Sequence, residues 1–202
     1  DENGNIYVDE NNKLQIVKGI SDVSKWVKLG SVLPKANMAW RNQFGVGHFN
    51  LGFMLSARLG GVVYSRTQAT LDYYGVSEQS AIARDNGGVR INQNTEDRGD
   101  LINAKEWYNQ VAASGGVPQL YTYDATNVRL QEASIGYTIP RKWLGNVMDI
   151  DLSVVGRNLW MIYCKAPYDP ESVATTGNYY QGIDYFMMPS LRSIGFNVRL
   201  KF

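Results

Sequence analysis

Apolar and polar side chains alternate with a period of two wherever this chain is periodic. From Ser193 to Phe202, Ile194, Phe196, Val198, Leu200 and Phe202 fall on one face, and Ser193, Gly195, Asn197, Arg199 and Lys201 on the other. Successive strand side chains point to opposite faces, so the run predicts a β-strand with one apolar face. At ~3.3 Å per residue it reaches about 30 Å, longer than the ~5–6 residues typical of a globular strand. Tilted by ~35–45°, such a strand matches a lipid-facing apolar band ~25 Å tall.

Four more segments repeat the pattern. Phe49, Leu51, Phe53, Leu55, Ala57 and Leu59 alternate with Asn50, Gly52, Met54, Ser56, Arg58 and Gly60. Ile150, Leu152 and Val154, resuming at Trp160 and Ile162, alternate with Asp151, Ser153, Val155 and Arg157. Ala133, Ile135, Tyr137 and Ile139 alternate with Ser134, Gly136 and Thr138 until Pro140 ends the run. Met38, Trp40, Phe44 and Val46 alternate with Ala39, Arg41, Gln43 and Gly45. Val128 and Leu130 are out of phase with Ala133, which predicts a bulge, and Asn42 and Asn158 are expected on the apolar face. Five long amphipathic strands are predicted.

The links between them alternate in length. Gly45–His48 reads as a hairpin turn and Pro140–Asp149 as another short link. Residues 65–124 and 165–191 form much longer links, the first with short helices expected at Thr67–Tyr73 and Asp100–Val111. Short turns alternating with long loops are the pattern of outer-membrane barrels, with the long loops outside. The first 33 residues, with a hairpin expected from Ile6–Val8 and Leu14–Val17, then form another external loop. Barrels of this class have at least ~8 strands, and an open sheet leaves two bare edges. The expectation is therefore an all-β, antiparallel transmembrane β-barrel, of which residues 1–202 supply about five C-terminal strands.

Composition narrows the chemistry. Twenty basic and 19 acidic side chains give a net charge of +1, which removes the electrostatic case for nucleic acid. A single cysteine excludes an internal disulfide framework or a zinc site of several cysteines. Mean hydropathy is −0.30, and no run approaches the ~18 apolar residues of a spanning helix, a criterion blind to barrels. The chain starts at Asp1 with no signal peptide, so it is expected to be mature protein or a fragment. His48 stands alone in a turn, and Cys164 ends a strand without a companion. The acidic cluster Glu96, Asp97 and Asp100 lacks the spacing of a calcium loop, and the glycine pairs lack the Lys-Ser/Thr of a phosphate loop. No nucleophile, base and orienting group share a motif, so no catalytic residue, metal or cofactor is expected and the chain is not read as an enzyme.

Arg41, Arg58, Arg157, Arg199 and Lys201 share the polar parity of their strands and are expected to face the lumen. On the lipid face such a charge costs ~2–4 kcal/mol at the midplane. Trp40, Tyr137, Trp143, Trp160 and Phe202 are expected near strand ends as aromatic girdles. Among the loop aromatics, Trp107, Tyr179 and Tyr180 are the foremost candidates for stacking on a substrate sugar.

Several ordered words carry a family likeness. The run from Tyr123 through Asp124, Asn127, Arg129, Gln131, Glu132, Gly136 and Tyr137 to Pro140 resembles a signature of the SusC/RagA-like TonB-dependent transporters. So do Gly156-Arg157-Asn158-Leu159-Trp160, Lys165-Ala166-Pro167-Tyr168-Asp169-Pro170-Glu171, Gln181-Gly182-Ile183-Asp184 and Pro189-Ser190-Leu191-Arg192-Ser193. Leu29–Lys35, Gly60-Gly61 and Ala83–Gly88 stand upstream in the matching order. The likeness implies a ~22-stranded barrel closed by a plug domain, in the outer membrane of Bacteroidetes-type bacteria. It further implies uptake of glycans or peptides, a SusD-like surface lipoprotein as lid, and energy from the TonB complex. The plug and TonB-binding segment are not in this chain, and TonB would act through that missing part. Phe202 resembles the terminal residue read by the barrel assembly machinery. The rival readings are a soluble β-rich carbohydrate-binding module and a passive porin.

Overall fold

The computed structural model describes residues 11, 13–14, 24, 26–90, 101–174, 177 and 180–202. In chain order the elements are β1 (Ala36–Val46), β2 (Phe49–Leu59), β3 (Val62–Ser65), α1 (Arg66–Tyr73), α2 (Glu78–Asp85), β4 (Val89–Arg90) and β5 (Leu101–Ile102). They continue with α3 (Ala104–Val111), β6 (Thr122–Asp124), β7 (Asn127–Ile139), β8 (Asp149–Cys164), β9 (Ile183–Asp184) and β10 (Ser193–Lys201). Two compact units result. One comprises Ser31–Val63, Asp124–Val173 and Met187–Phe202, the other Asp1–Gly30, Tyr64–Tyr123 and Ala174–Phe186.

The first unit is a five-stranded antiparallel sheet in the order β1-β2-β7-β8-β10, built from the five strands that alternation predicts. The sheet does not close on itself. Its registers keep apolar opposite apolar: Trp40 faces Leu55, Leu55 faces Leu130, and Leu130 faces Trp160. Nearer the other end, Val46 faces Phe49, Phe49 faces Tyr137, Tyr137 faces Leu152 and Leu152 faces Val198. A shift of one residue would move each of these side chains to the other face, so the pattern fixes the pairing. β1 and β2 are joined by the two residues Gly47 and His48, with Gly47 at φ +60°, a conformation that two-residue hairpin turns require and glycine supplies.

The expected bulge is present. Leu55 pairs with Leu130 while Met54 pairs with Glu132, so Gln131 is the extra residue, and its Oε1 accepts the Ser56 hydroxyl at 3.4 Å. On the β8 side Leu130 faces Trp160 and Glu132 faces Arg157, leaving Asn158 and Leu159 outside the simple alternation. Asn158 adopts φ +52°. This corrects the expected continuous parity through Asn158: the kink sends its amide to a polar network described below. The same kink lays Leu159 over Gly156, where a β-carbon would come within 2.6 Å of the Leu159 Cδ2. Asn42 follows the prediction, lying opposite Phe53 on the apolar face.

The second unit is helical at its centre. Ser65, Ser77 and Asn103 cap α1, α2 and α3 by accepting the amides of Gln68, Ser80 and Lys105 at 3.1, 3.1 and 2.9 Å. Ala69, Ile102, Trp107, Val111, Ala112 and Tyr121 form its buried core. Tyr64 and Ser65 of β3 pair in parallel with Ile183 and Asp184 of β9, and the Ser65 hydroxyl donates to Asp184 at 2.9 Å. α1 and α3 fall where short helices are expected, α3 beginning at Ala104 rather than at residue 100 because Asn103 is its cap. α2 is an addition to the expectation, though Ser77 before it and Gly87 after it are ordinary helix signals. The hairpin expected at Ile6–Val17 lies outside the described residues apart from Asn11, Lys13 and Leu14, and so do the acidic residues 96, 97 and 100; the Leu14 amide donates to Gln110 Oε1 at 2.8 Å.

Candidate functional site

The five-stranded sheet has two chemically distinct faces. Its apolar face is bare: Phe196 is 82% exposed, Ile194 67%, Trp40 59% and Ile135 51%. Trp40 and Trp160 belong to one cross-sheet row, and Tyr137 and Phe49 to another. The six-residue step from Trp40 to Val46 along β1 separates these rows by about 20 Å, close to the ~25 Å height of an outer-membrane apolar band. At the Phe49 end the aromatics cluster, with ring centroids 4.9 Å apart for Phe49–Tyr137, 5.9 Å for His48–Tyr137 and 5.5 Å for His48–Trp143. His48 is therefore part of a ring cluster at a strand turn.

The polar face is a network of charge. Glu132 holds Arg41 at 3.8 Å through one carboxylate oxygen and Arg157 at 3.3 Å through the other, joining β1, β7 and β8. Lys201 pairs with Asp151 at 2.8 Å, and Arg199 lies opposite Asp151 in register. Arg58 donates from Nη2 to the Val32 carbonyl at 2.9 Å. All five of the sequence-predicted cations thus share one face of the sheet, and two of them share one carboxylate.

Beyond this face, the widely spaced words of the sequence converge on a residue that their reading did not single out. Arg129 of β7 is 2% exposed. Its Nε donates to Asn127 Oδ1 at 3.3 Å, its Nη1 to Asn158 Oδ1 at 3.5 Å and its Nη2 to Asp169 Oδ1 at 2.9 Å, with Glu171 Oε2 3.4 Å away. The other Asp169 oxygen accepts the Ser190 hydroxyl, and Asn158 Nδ2 donates to the Leu191 carbonyl at 3.4 Å. A buried guanidinium is tolerated because carboxylate and side-chain amide oxygens accept its N–H hydrogen bonds and oppose its charge. Both ends of the long link 165–191 are therefore fastened to β7 and β8. No local signal exposes this hub: Asn158 and Asp169 lie 29 and 40 residues from Arg129 along the chain.

A second fastening sits beside it. Asp124 accepts the amide and hydroxyl of Thr126 at 2.8 and 2.5 Å and the Lys165 ammonium at 2.9 Å, and the Thr126 hydroxyl accepts the Gly60 amide at 2.9 Å. The Thr126 hydroxyl, Lys165 and the Thr126 amide hold the Asp124 carboxyl down at about 2 and keep it charged.

The three loop aromatics separate. Trp107 is 8% exposed and belongs to the core of the helical unit, packed through the α3 stripe Ala104, Trp107 and Val111. This corrects its place among residues free to stack on a sugar. Tyr180 is 62% exposed, and Tyr179 lies outside the described residues. Phe202 follows the last strand and is 84% exposed.

No protein-family model matches the chain. TonB-dependent receptor P3 of Formosa agariphila is 24% identical over 181 residues, covering 86% of this chain and 17% of that protein. The RagAB peptide importer in its closed-closed state matches with TM-score 0.61 and 15% identity, over 97% of this chain and 20% of its own. The open-open state of the same importer gives TM-score 0.62 and 13% identity, over 98% and 20%. The chain thus spans about a fifth or less of these relatives' length. Sequence and fold agree with the ordered words of the chain: it is similar to TonB-dependent receptors of the SusC/RagA type and shares the fold of part of such a protein.

Proposed function

We propose that this chain forms part of the barrel wall of an outer-membrane, TonB-dependent nutrient importer that works with a SusD-like surface lipoprotein to take up glycans or peptides. One observation carries the reading: five long strands hold a continuous apolar face in register and leave it uncovered. Apolar patches beyond a few hundred Å² are uncommon on monomeric soluble proteins and mark a contact surface. Two girdle rows about 20 Å apart make lipid the fitting contact.

The polar face with Arg41, Arg58, Arg157 and Arg199 then borders the lumen, and the 165–191 link lies outside, fastened at the rim by Arg129. In this reading TonB drives plug rearrangement, and the separate lipoprotein closes the barrel as a lid. A soluble carbohydrate-binding module would bury an inner apolar face in a core about 10 Å thick. Here the buried apolar cluster lies in the helical unit.

The test is fractionation of the full-length protein, followed by gel migration before and after heating. Recovery from outer membranes with a heat-shifted band is the expected result. A soluble protein with unshifted migration would overturn the reading.

A further inference from the structure

A groove of about 390 Å³ opens in the helical unit, within the ~300–1,000 Å³ of small-molecule sites. α1, α2, α3 and the turn after α1 supply its lining, which includes Asp72, Tyr73, Tyr74, Arg84, Lys105 and Tyr108. Asp72 is buried, and its charge is already engaged. It accepts Gln68 Nε2 at 2.9 Å, the Ser77 hydroxyl and the Tyr121 hydroxyl, and it helps burial to raise the Tyr121 phenol well above its ordinary value. Among the lining residues the two cations, Arg84 and Lys105, outnumber this one carboxylate, so the net charge presented to a ligand is positive.

Arg84 is held at the groove by one N–H, which donates from Nη1 to the Gly75 carbonyl at 2.6 Å, out of the five that a guanidinium carries. Lys105 stands in the first turn of α3, where the helix dipole disfavours a cation and an anion would relieve it. Tyr73 and Tyr74 meet edge to face with centroids 5.2 Å apart, and Tyr74 is 72% exposed. An aromatic face carries negative quadrupole potential, which suits the C–H rim of a pyranose ring.

The geometry points to an acidic saccharide as the occupant: a sugar ring against Tyr73 and Tyr74, with its carboxylate or sulfate ester paired to Arg84 and Lys105. Guanidinium pairs with planar oxyanions by parallel N–H bonds, and Lys105 adds a point charge. This helical, charged lining offers neither a sheet edge nor an apolar groove for an extended peptide, and an acidic peptide is separated from a saccharide by the exposed Tyr74 ring and by the poly-glutamate arm of the test. The inference rests on the import reading for its biological purpose, while binding itself can be measured apart from it.

The experiment uses the full-length protein in detergent. Calorimetric titration is made with an oligogalacturonate, a sulfated galactan oligosaccharide, neutral maltotetraose and a poly-glutamate peptide, and heat-shifted migration is recorded on the same sample. Binding of at least one acidic saccharide, at least tenfold tighter than maltotetraose, is expected. Arg84→Gln with Lys105→Gln should weaken it tenfold or more, and Tyr74→Ala several-fold, with the heat shift unchanged. No binding by either acidic saccharide, equal binding of the neutral sugar, or preference for the peptide would overturn the assignment. A heat-shifted protein without saccharide binding removes only this inference. Saccharide binding by an unshifted protein removes the import reading and leaves the groove.

Discussion

The two units of this chain use apolar side chains in opposite ways. The helical unit buries them: Ile102 and Val111 are 2% and 1% exposed, and Trp107 belongs to the same buried cluster. The sheet unit displays them, with Phe196, Ile194 and Trp40 more than half exposed, and pairs its charges on the opposite face. Both arrangements come from one sequence of modest mean hydropathy, so the average cannot distinguish them. Periodicity can. A helical stripe at Ala104, Trp107 and Val111 closes a water-facing core, whereas alternation over strands of 9 to 16 residues makes a wall with two solvents.

The largest expected effect is at the hub that fastens the sheet's long link. Arg129→Ala leaves Asp169 without its partner, a loss of about 3–5 kcal/mol for a buried pair. Limited proteolysis should then cut the 165–191 link well before the strands. Equal resistance in the variant would show that the link is held by something else. Comparable in size, Trp107→Ala removes a core ring from the helical unit at a cost of about 3–5 kcal/mol. Hydrogen exchange should show lost protection in α1 and α3 while the heat-shifted band of the full-length protein persists. A variant that loses sugar binding without losing that protection would restore Trp107 as a contact residue.

Phe196→Arg is the corresponding break in the sheet, costing about 2–4 kcal/mol on a lipid face. Yield in the outer membrane should fall, and a normal yield would contradict the face assignment. The smallest effect is at Asp124. Its folded carboxyl titrates at about 2, below the ordinary 3.8, so its contribution is complete above the unfolded value and is lost as pH falls through the folded one. The carboxylate is 38% exposed, and solvent screening limits the effect to about 1 kcal/mol or less. Between pH 4 and pH 2 the Thr126 amide should lose protection, corrected for its intrinsic exchange rate. Asp124→Asn should remove that pH dependence.

Much of the sheet was legible because its information is local. Alternation placed all five strands, and the phase break between Leu130 and Ala133 placed the bulge where Gln131 is extra. Asn158 was not legible, because its left-handed backbone changes the parity that a simple count assumes. Nor was the Arg129 hub, since its partners come from three separated segments and only the fold brings them together. Trp107 was misplaced because its expected helix was taken as part of an exposed link, although the Ala104, Trp107, Val111 spacing marks a buried stripe.

The central claim is that one face of the sheet meets lipid and the other does not. In the full-length protein with Cys164→Ser, single cysteines at positions 194 to 199 can be reacted in native membranes with a water-soluble maleimide and a bilayer-partitioned thiol probe. The account predicts alternation: 194, 196 and 198 labelled from the bilayer, and 195, 197 and 199 shielded from it. Uniform labelling from water across all six positions would contradict it.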